Sequence, residues 1–140
     1  MTTRRRSIVC GAIVVLLGGF GFSKPAVACR CKEPSPRVAY HLADGAAFGS
    51  VESQKESGDV TVSIIVVDRA WKQSIPRRIR VVSAKPCGFP FETGERYLVF
   101  LTEGTADSFG TRRCRGNVPA SKATATLRWL RAYGKQADLR

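Results

Sequence analysis

Cysteine placement constrains the fold of this chain more than any other feature of its sequence. Of the five cysteines, Cys10 lies in an apolar N-terminal run, and the others are Cys29, Cys31, Cys87 and Cys114. A bond between Cys29 and Cys31 would close a very tight ring, so two disulfides would join this Cys-x-Cys segment to the middle and the end of the chain. Either remaining pairing closes long loops, each worth about 4 kcal/mol in the chain-entropy treatment.

The first 28 residues have the pattern of a secretory signal peptide. Three arginines at positions 4–6 precede an uncharged run of 15 residues, 8–22, and the tripeptide Ala26-Val27-Ala28 follows. A membrane-spanning helix needs about 20 apolar residues, whereas a shorter run before small residues is typical of a cleaved signal. We therefore expect cleavage after Ala28, export to the periplasm or the extracellular space, and a mature chain that begins at Cys29 and has no membrane span.

Two alternatives concern the same N-terminal region. Acylation of Cys29, as in a lipoprotein, would block its amine, but Ala26 stands where such sites more often carry Leu. The consecutive arginines also permit a twin-arginine export signal, although Ser7 stands where a large apolar residue is expected. We expect a free Cys29, exported by either the general secretory or the twin-arginine route.

The remaining 112 residues, 29–140, are enough for one domain with a single core. They hold 19 Lys and Arg against 11 Asp and Glu, a formal net charge of +8. Nucleic acid is an unsuitable partner outside the cytoplasm, so a basic surface would face anionic glycans, lipid head groups or an acidic protein. The alternative is a charged surface that only keeps the domain soluble.

The hydrophobic pattern of residues 29–140 predicts a mainly β domain. Prolines at 34 and 36 predict the start of a short helix over 37–43, and leucines at helical spacing predict a second helix over 123–133. Residues 52–59 are predicted as a loop, and 134–140 as a frayed tail. The predicted strands are 46–51, 60–72, 78–82 and 96–102, with a last short strand near 108–114. Five strands with a helix at each end predict a small closed or nearly closed β-barrel stapled by two disulfides.

Residue types that would support catalysis are scarce. His41 is the only histidine, and oxidised cysteines could not join it in a catalytic metal site. We therefore expect no enzymatic activity, no cofactor and no metal site of the chain's own. Four carboxylates are expected at loops or strand ends: Asp68, Glu92, Glu95 and Glu103. Four aromatic residues are expected in the core rather than on a ligand-stacking platform: Trp71, Tyr97, Phe100 and Trp129.

Several short motifs occur in the order found in one known family. They are Cys29-x-Cys31, Gly49-x-Val51, Trp71-Lys72, Cys87-Gly88, Gly94-x-x-Tyr97-Leu98-Val99-Phe100 and Cys114. In this combination residues 29–140 resemble the netrin-like module, and more narrowly the N-terminal inhibitory domain of the tissue inhibitors of metalloproteinases, in a bacterial-type single-domain form. The resemblance implies a five-stranded barrel of the oligonucleotide/oligosaccharide-binding (OB) type, with Cys29 paired to Cys87 and Cys31 paired to Cys114.

The same resemblance implies a secreted inhibitor of zinc metalloendopeptidases. The amine and carbonyl oxygen of the first cysteine, here Cys29, would chelate the target's catalytic zinc, and Arg30 would enter its substrate pocket. A free α-amine has a pKa of about 7.7–8.0, so zinc can displace its proton near neutral pH. Further contacts would come from one edge of the domain, which the implied pairings would make strongly positive: Lys32, Lys85, Pro86, Gly88, Arg112, Arg113 and Arg115.

Some residues depart from the family pattern. Arg30 replaces the usual small polar residue and would be an unpaired charge in an apolar pocket, so it predicts a target with an acidic or water-accessible pocket. A third disulfide is absent, and Gln73 follows Trp71-Lys72 where glycine is common. The alternative function is a non-inhibitory netrin-like binding or adhesion module of the cell envelope, which would bind a polyanion or a protein through its basic surface.

Overall fold

The computed structural model describes residues 29–105 and 107–140, so the predicted signal peptide lies outside the described residues. The helices are α1 (Pro36–Leu42), a 3-10 turn (Ala120–Lys122) and α2 (Thr124–Tyr133). The strands are β1 (Gly45–Ser57), β2 (Val60–Trp71), β3 (Arg78–Ala84), β4 (Arg96–Thr105), β5 (Ser108–Gly110), β6 (Val118–Pro119) and β7 (Gln136–Ala137). Among these helices, none has the length and apolar composition needed to cross a bilayer.

Five of the strands form a closed ring. β1 pairs antiparallel with both β2 and β4, and β2 pairs antiparallel with β3. β5 closes the ring, because it pairs parallel with β3 and antiparallel with β4. The order around the ring is therefore β1-β2-β3-β5-β4 and back to β1. Short β6 pairs with β4, and β7 pairs with β2. The prediction of a mainly β domain with five principal strands and two disulfides is confirmed.

A glycine allows β1 to take part in both sides of the ring. Gly49 lies opposite Val67 of β2 and Tyr97 of β4, next to a register shift in the β1–β2 ladder. A Cβ atom at this position would lie 2.1 Å from the Val66 carbonyl oxygen, so no larger residue fits without moving the backbone. Bulges of this kind bend a strand and increase its twist, which closes the ring.

Both faces of β4 are buried, which explains its continuous apolar sequence. Tyr97, Val99 and Leu101 belong to a cluster that packs with buried residues of β1, β2, β3 and β5. Leu98 and Phe100 point to the opposite face and pack in a second cluster with residues of α1 and α2. The two helices therefore cover one side of β4 and hold the chain that precedes α1 against the sheet.

Three aromatic rings anchor the chain that follows Cys87. Phe89, Phe91 and Tyr97 meet edge to face, with ring centroids 4.8–5.7 Å apart. Burial raises the pKa of the Tyr97 phenol above its usual value. The Glu92 backbone N–H donates to the phenol oxygen over 3.1 Å and lowers this pKa, whereas the negative charge of the Glu92 carboxylate raises it. This cluster fixes the loop that carries Cys87 to strand β4.

Two predicted segments are wrong. Residues 52–59 were expected as a loop, but β1 continues to Ser57 and turns into β2 through Gly58, which has φ of 58°. Residues 134–140 were expected to fray, but Gln136 and Ala137 pair with β2, and the Arg140 N–H donates to the Ile75 carbonyl over 2.9 Å. Ala137 and Leu139 pack on the first core cluster, which gives this tail its order.

The expected core aromatics divide into two groups. Trp71, Tyr97 and Phe100 are buried, as predicted. Trp129 is only half-buried, because its ring packs at the edge of the second cluster between Tyr40 and Tyr133, at 5.6 Å from each ring centroid. The expectation of a core position is therefore correct for three of the four residues and too strong for Trp129.

Candidate functional site at the N-terminal cysteine segment

Residues 29–35 form neither helix nor strand, and two disulfides attach this segment to loops of the domain. Cys29 is bonded to Cys87, in the loop after β3, with 5.6 Å between Cα atoms. Cys31 is bonded to Cys114, in the loop after β5, with 5.9 Å between Cα atoms. This is the pairing that the family resemblance implies. Because β3 and β5 are neighbours in the ring, the Cys-x-Cys segment, Cys29–Arg30–Cys31, lies across the two loops at their ends.

Backbone and side-chain hydrogen bonds hold these two loops together. The Arg113 backbone N–H donates to the Cys87 carbonyl over 2.9 Å, and the Arg113 Nε donates to the Gly88 carbonyl over 3.1 Å. On the β3 side, the Phe89 N–H donates to the Ser83 hydroxyl over 2.7 Å. The disulfides therefore attach the segment to a surface that is already cross-linked, which lowers its freedom to move.

Asn117 is a buried residue that organises the Cys114 loop and that sequence reasoning missed. Its Oδ1 accepts a hydrogen bond from the Phe100 N–H over 2.7 Å, and its Nδ2 donates to the Thr111 hydroxyl over 2.8 Å and to the Arg112 carbonyl over 3.0 Å. One amide thus fastens both ends of the loop to β4. The only sequence signal was a polar residue between Gly116 and Val118, which also fits an ordinary turn.

Replacing Asn117 with alanine is expected to destabilise the domain by about 2 kcal/mol, because the buried Phe100 N–H loses its acceptor. Urea unfolding followed by tryptophan fluorescence would measure this change. Thr126→Ala, on helix α2, is the matched control and should change stability by less than about 0.5 kcal/mol. An Asn117→Ala midpoint equal to that of the native protein would contradict the assigned role.

Most of the Cys-x-Cys segment is exposed to solvent. Cys29 is half-buried, and Arg30 and Cys31 are exposed. Within residues 29–105 and 107–140, no backbone N–H donates to the Cys29 carbonyl oxygen. A carbonyl oxygen that is fixed in position and has no backbone donor keeps its lone pairs for another ligand.

Arg30 and two of the expected edge residues, Arg112 and Arg113, surround the two disulfides. A cavity of about 330 Å³ is lined by the four half-cystines together with Arg30, Arg112 and Arg113. The ion pairs of the described residues join Arg78 to Glu52, Arg96 to Asp68, and Lys85 to Glu56, and none of these residues lines this cavity. Within residues 29–105 and 107–140, no carboxylate forms an ion pair with the three arginines beside Cys29. These arginines, called the arginine edge below, make this edge positively charged.

The other expected edge residues lie around this arginine edge at different distances. Lys85, Pro86 and Arg115 line a neighbouring cavity that shares Cys87 and Arg112 with the first. Gly88 lies in a shallow groove on the other side of Lys85 and Arg113. Lys32 is exposed and lines none of these surfaces. The structure thus brings together all of the named edge residues except Lys32.

The described residues contain no group of three or more His, Cys, Asp or Glu side chains placed to hold a metal ion. The four cysteines of this region are all in disulfides. No protein-family profile and no curated protein matches this sequence. The features of this region that bear on function are therefore the residues of the Cys-x-Cys segment and their geometry.

Proposed function

We propose that residues 29–140 form a secreted inhibitor of zinc metalloendopeptidases. In this proposal, signal cleavage after Ala28 converts the Cys29 nitrogen from a peptide nitrogen into a free α-amine. The amine and the Cys29 carbonyl oxygen then chelate the catalytic zinc of the target. The observation that carries the proposal is the attachment of Cys29 and Cys31 by separate disulfides to two neighbouring loops, with no backbone N–H of residues 29–105 or 107–140 donating to the Cys29 carbonyl.

The proposed chemistry follows from the needs of catalytic zinc. Such a zinc keeps one coordination position open for the water that attacks the substrate. Two ligand atoms on a single residue can displace this water and stop hydrolysis. The disulfide to Cys87 holds that residue in place before binding, so less conformational entropy is lost when the complex forms.

The closed ring supports the OB-type part of the proposal. A small five-stranded antiparallel arrangement with one parallel contact, β3 with β5, agrees with a Greek-key barrel of that type. The motif order in the sequence supports the narrower assignment to the netrin-like module and the inhibitory domain of the tissue inhibitors of metalloproteinases. Two disulfides in a small domain are compatible with export, because such bonds persist in oxidising compartments.

A second candidate function is a binding module of the cell envelope that does not inhibit proteases. The observation in its favour is the arginine edge, where Arg30, Arg112 and Arg113 pair with no carboxylate of the described part of the chain. In this alternative the cysteines serve only the fold, and the edge binds a polyanion such as an acidic glycan, or an acidic envelope protein. Such binding would weaken strongly as salt rises.

One experiment on the exported protein separates the two functions. The full chain is expressed with residues 1–28, and the secreted product is analysed by mass spectrometry and tested on a panel of zinc endopeptidases, with a serine endopeptidase as the control. We expect an N-terminal Cys29 with a free amine, 1:1 inhibition of at least one zinc enzyme, and none of the serine enzyme.

Two results would contradict the inhibitor proposal. The first is a mature terminus other than Cys29, or an acylated Cys29. The second is no inhibition of any zinc enzyme at up to ~10 µM inhibitor, far weaker than protease inhibitors usually bind. Salt-sensitive binding to an acidic glycan in the absence of inhibition would favour the envelope module.

A further inference from the structure

Exposed apolar side chains are concentrated on the two helices. Among the described residues four large hydrophobic side chains are exposed, and three of them lie on α1 or α2: Val38 (46% exposed), Leu42 (62%) and Tyr133 (74%). The fourth, Val66, lies on β2. One exposed apolar residue needs no explanation, whereas a group of them on one surface indicates a binding site. The surface is called the α1–α2 face, and it consists of Arg37, Val38, His41, Leu42, Trp129 and Tyr133.

A cavity of about 500 Å³ lies between the two helices within the α1–α2 face. Its lining consists of four rings and one cation: Tyr40, His41, Trp129, Tyr133 and Arg37. None of these residues lines the cavities around the disulfides, so the α1–α2 face is a different surface from the arginine edge. Tryptophan and tyrosine have an apolar body and a polar tip, which suits a boundary between water and an apolar phase.

Hydrogen bonds and ring contacts hold this face in shape. The Lys135 N–H donates to the Tyr40 hydroxyl oxygen over 3.0 Å, and the Lys72 ammonium lies 5.2 Å above the Tyr40 ring. The same ammonium donates to the His41 carbonyl over 3.3 Å. Trp129 packs against the fixed Tyr40 ring, with 5.6 Å between the ring centroids. The face is therefore formed before any partner arrives, and binding has to order few side chains.

The charge of the two helices restricts the kind of partner that the face can bind. Residues 36–43 and 118–137 contain five Lys and Arg and no Asp or Glu. Two of these cations, Arg37 and Arg128, are exposed and form no ion pair within the part of the chain that the structure describes. A second copy of the chain would bring like charges together, which disfavours self-association through this face. The partner must therefore be anionic and must also accept apolar side chains.

The order of the side chains along α1 favours a bilayer surface over an acidic peptide or a soluble polyanion. Arg37 precedes the exposed Val38, and His41 precedes the exposed Leu42, so polar and apolar side chains alternate. A peptide helix needs a continuous apolar groove, and a soluble polyanion would leave Leu42 and Tyr133 in water. A helix in the interface of an anionic bilayer buries its apolar side chains ~5–10 Å deep, while its cations remain at the phosphates.

We propose that the α1–α2 face binds the surface of an anionic phospholipid bilayer. Leu42, Trp129 and Tyr133 enter the boundary between head groups and acyl chains. Arg37 and Arg128 extend from the same helices to the lipid phosphates. This binding involves neither Cys29 nor the arginine edge, so it is compatible with both candidate functions and does not depend on either of them.

Vesicle binding by the exported, disulfide-bonded protein tests the proposal. The protein is mixed in ~0.1 M salt with vesicles of phosphatidylcholine, with or without phosphatidylglycerol, and binding is measured by co-sedimentation and tryptophan fluorescence. Trp71 is buried and Trp129 is half-buried, so Trp129 should report contact with lipid. We expect at least about tenfold tighter binding to the anionic vesicles, a blue shift, and quenching by lipids brominated on their acyl chains. Trp129→Phe should abolish the blue shift.

Four exposed side chains provide matched variants for the same assay, and none of them belongs to the core. Leu42→Ser should lower the partition constant about tenfold, because an apolar side chain no longer enters the interface. Its control is Val66→Ser, an exposed apolar residue away from the helices, which should change the constant by less than about twofold. Arg37→Gln should lower the constant about fivefold, whereas Arg112→Gln at the arginine edge should lower it by less than about twofold.

Several results would overturn the proposal. One is the absence of co-sedimentation at ~1 mM lipid, because even a single acyl anchor binds with a constant of about 10⁴ M⁻¹. Another is binding without acyl-chain quenching, or binding that Val66→Ser or Arg112→Gln weakens as much as Leu42→Ser or Arg37→Gln does, since either would indicate general attraction to a basic domain. An equal Trp129 shift with dextran sulfate would assign the face to a soluble polyanion. Self-association of the lipid-free protein that Leu42→Ser abolishes would assign it to a second copy.

Discussion

Adding one alanine before Cys29 is expected to weaken inhibition of a zinc endopeptidase by about a hundredfold or more, equivalent to about 3 kcal/mol of binding free energy. The added residue turns the Cys29 amine into a peptide nitrogen, which has no lone pair for zinc and keeps its proton. It also places an extra residue where the metal should lie. The Cys29 carbonyl alone would then have to displace the zinc-bound water.

The measurement compares inhibition constants for residues 29–140 with and without the alanine, both with intact disulfides. The matched control is the same alanine added after Arg140. The backbone hydrogen bonds of Arg140 to Ile75 and Arg77 can persist there, so this variant should inhibit like the native form. Inhibition that survives the N-terminal alanine within about threefold would exclude amine chelation, while an equal loss from the C-terminal alanine would indicate a general effect on the fold.

The strands that face the core were the part of the fold that the sequence could predict. Strand β2, Val60–Trp71, agrees with the predicted strand 60–72 except at its last residue, because β-branched residues are typical of strands packed in a sheet. The outer half of β1 could not be predicted in this way. From Glu52 to Ser57 its side chains are mostly exposed, so no apolar alternation marks it, and its strand structure depends on hydrogen bonds to β2 alone.

In the candidate site, too, the features that depend on residue type could be predicted, whereas those that depend on how the backbone folds could not. Four cysteines in a short exported chain predict two disulfides, and the motif order supplied their pairing. The gathering of Arg30, Arg112 and Arg113 followed from that pairing. Asn117 could not be predicted as a loop anchor, because its three hydrogen bonds reach β4 and the Cys114 loop only after the ring has closed.

Arg30 is expected to decide which zinc endopeptidases the protein inhibits. The side chain is exposed at the arginine edge, where Arg112 and Arg113 line the same cavity, and no carboxylate among the residues that the structure describes forms an ion pair with it. In an acidic pocket, Arg30 would gain a charge-assisted hydrogen bond, and its truncation to serine should raise the inhibition constant about thirtyfold or more. In an apolar pocket the same charge is buried without a partner, so Arg30→Leu should improve inhibition by a comparable factor.

The ratio of the inhibition constants for an acidic-pocket and an apolar-pocket enzyme is therefore the informative measurement, and Arg30→Leu should change it about a thousandfold. Lys32→Leu is the matched control, because Lys32 is an exposed cation two residues further along that lines none of the cavities around the disulfides. Its effect on the ratio should stay within about threefold, since an exposed charge interacts weakly through water. A ratio that changes equally in both variants would mean that charge acts only by long-range attraction. A ratio unchanged by Arg30→Leu, with inhibition retained, would mean that residue 30 does not enter the pocket, and that the segment binds the target in a different orientation.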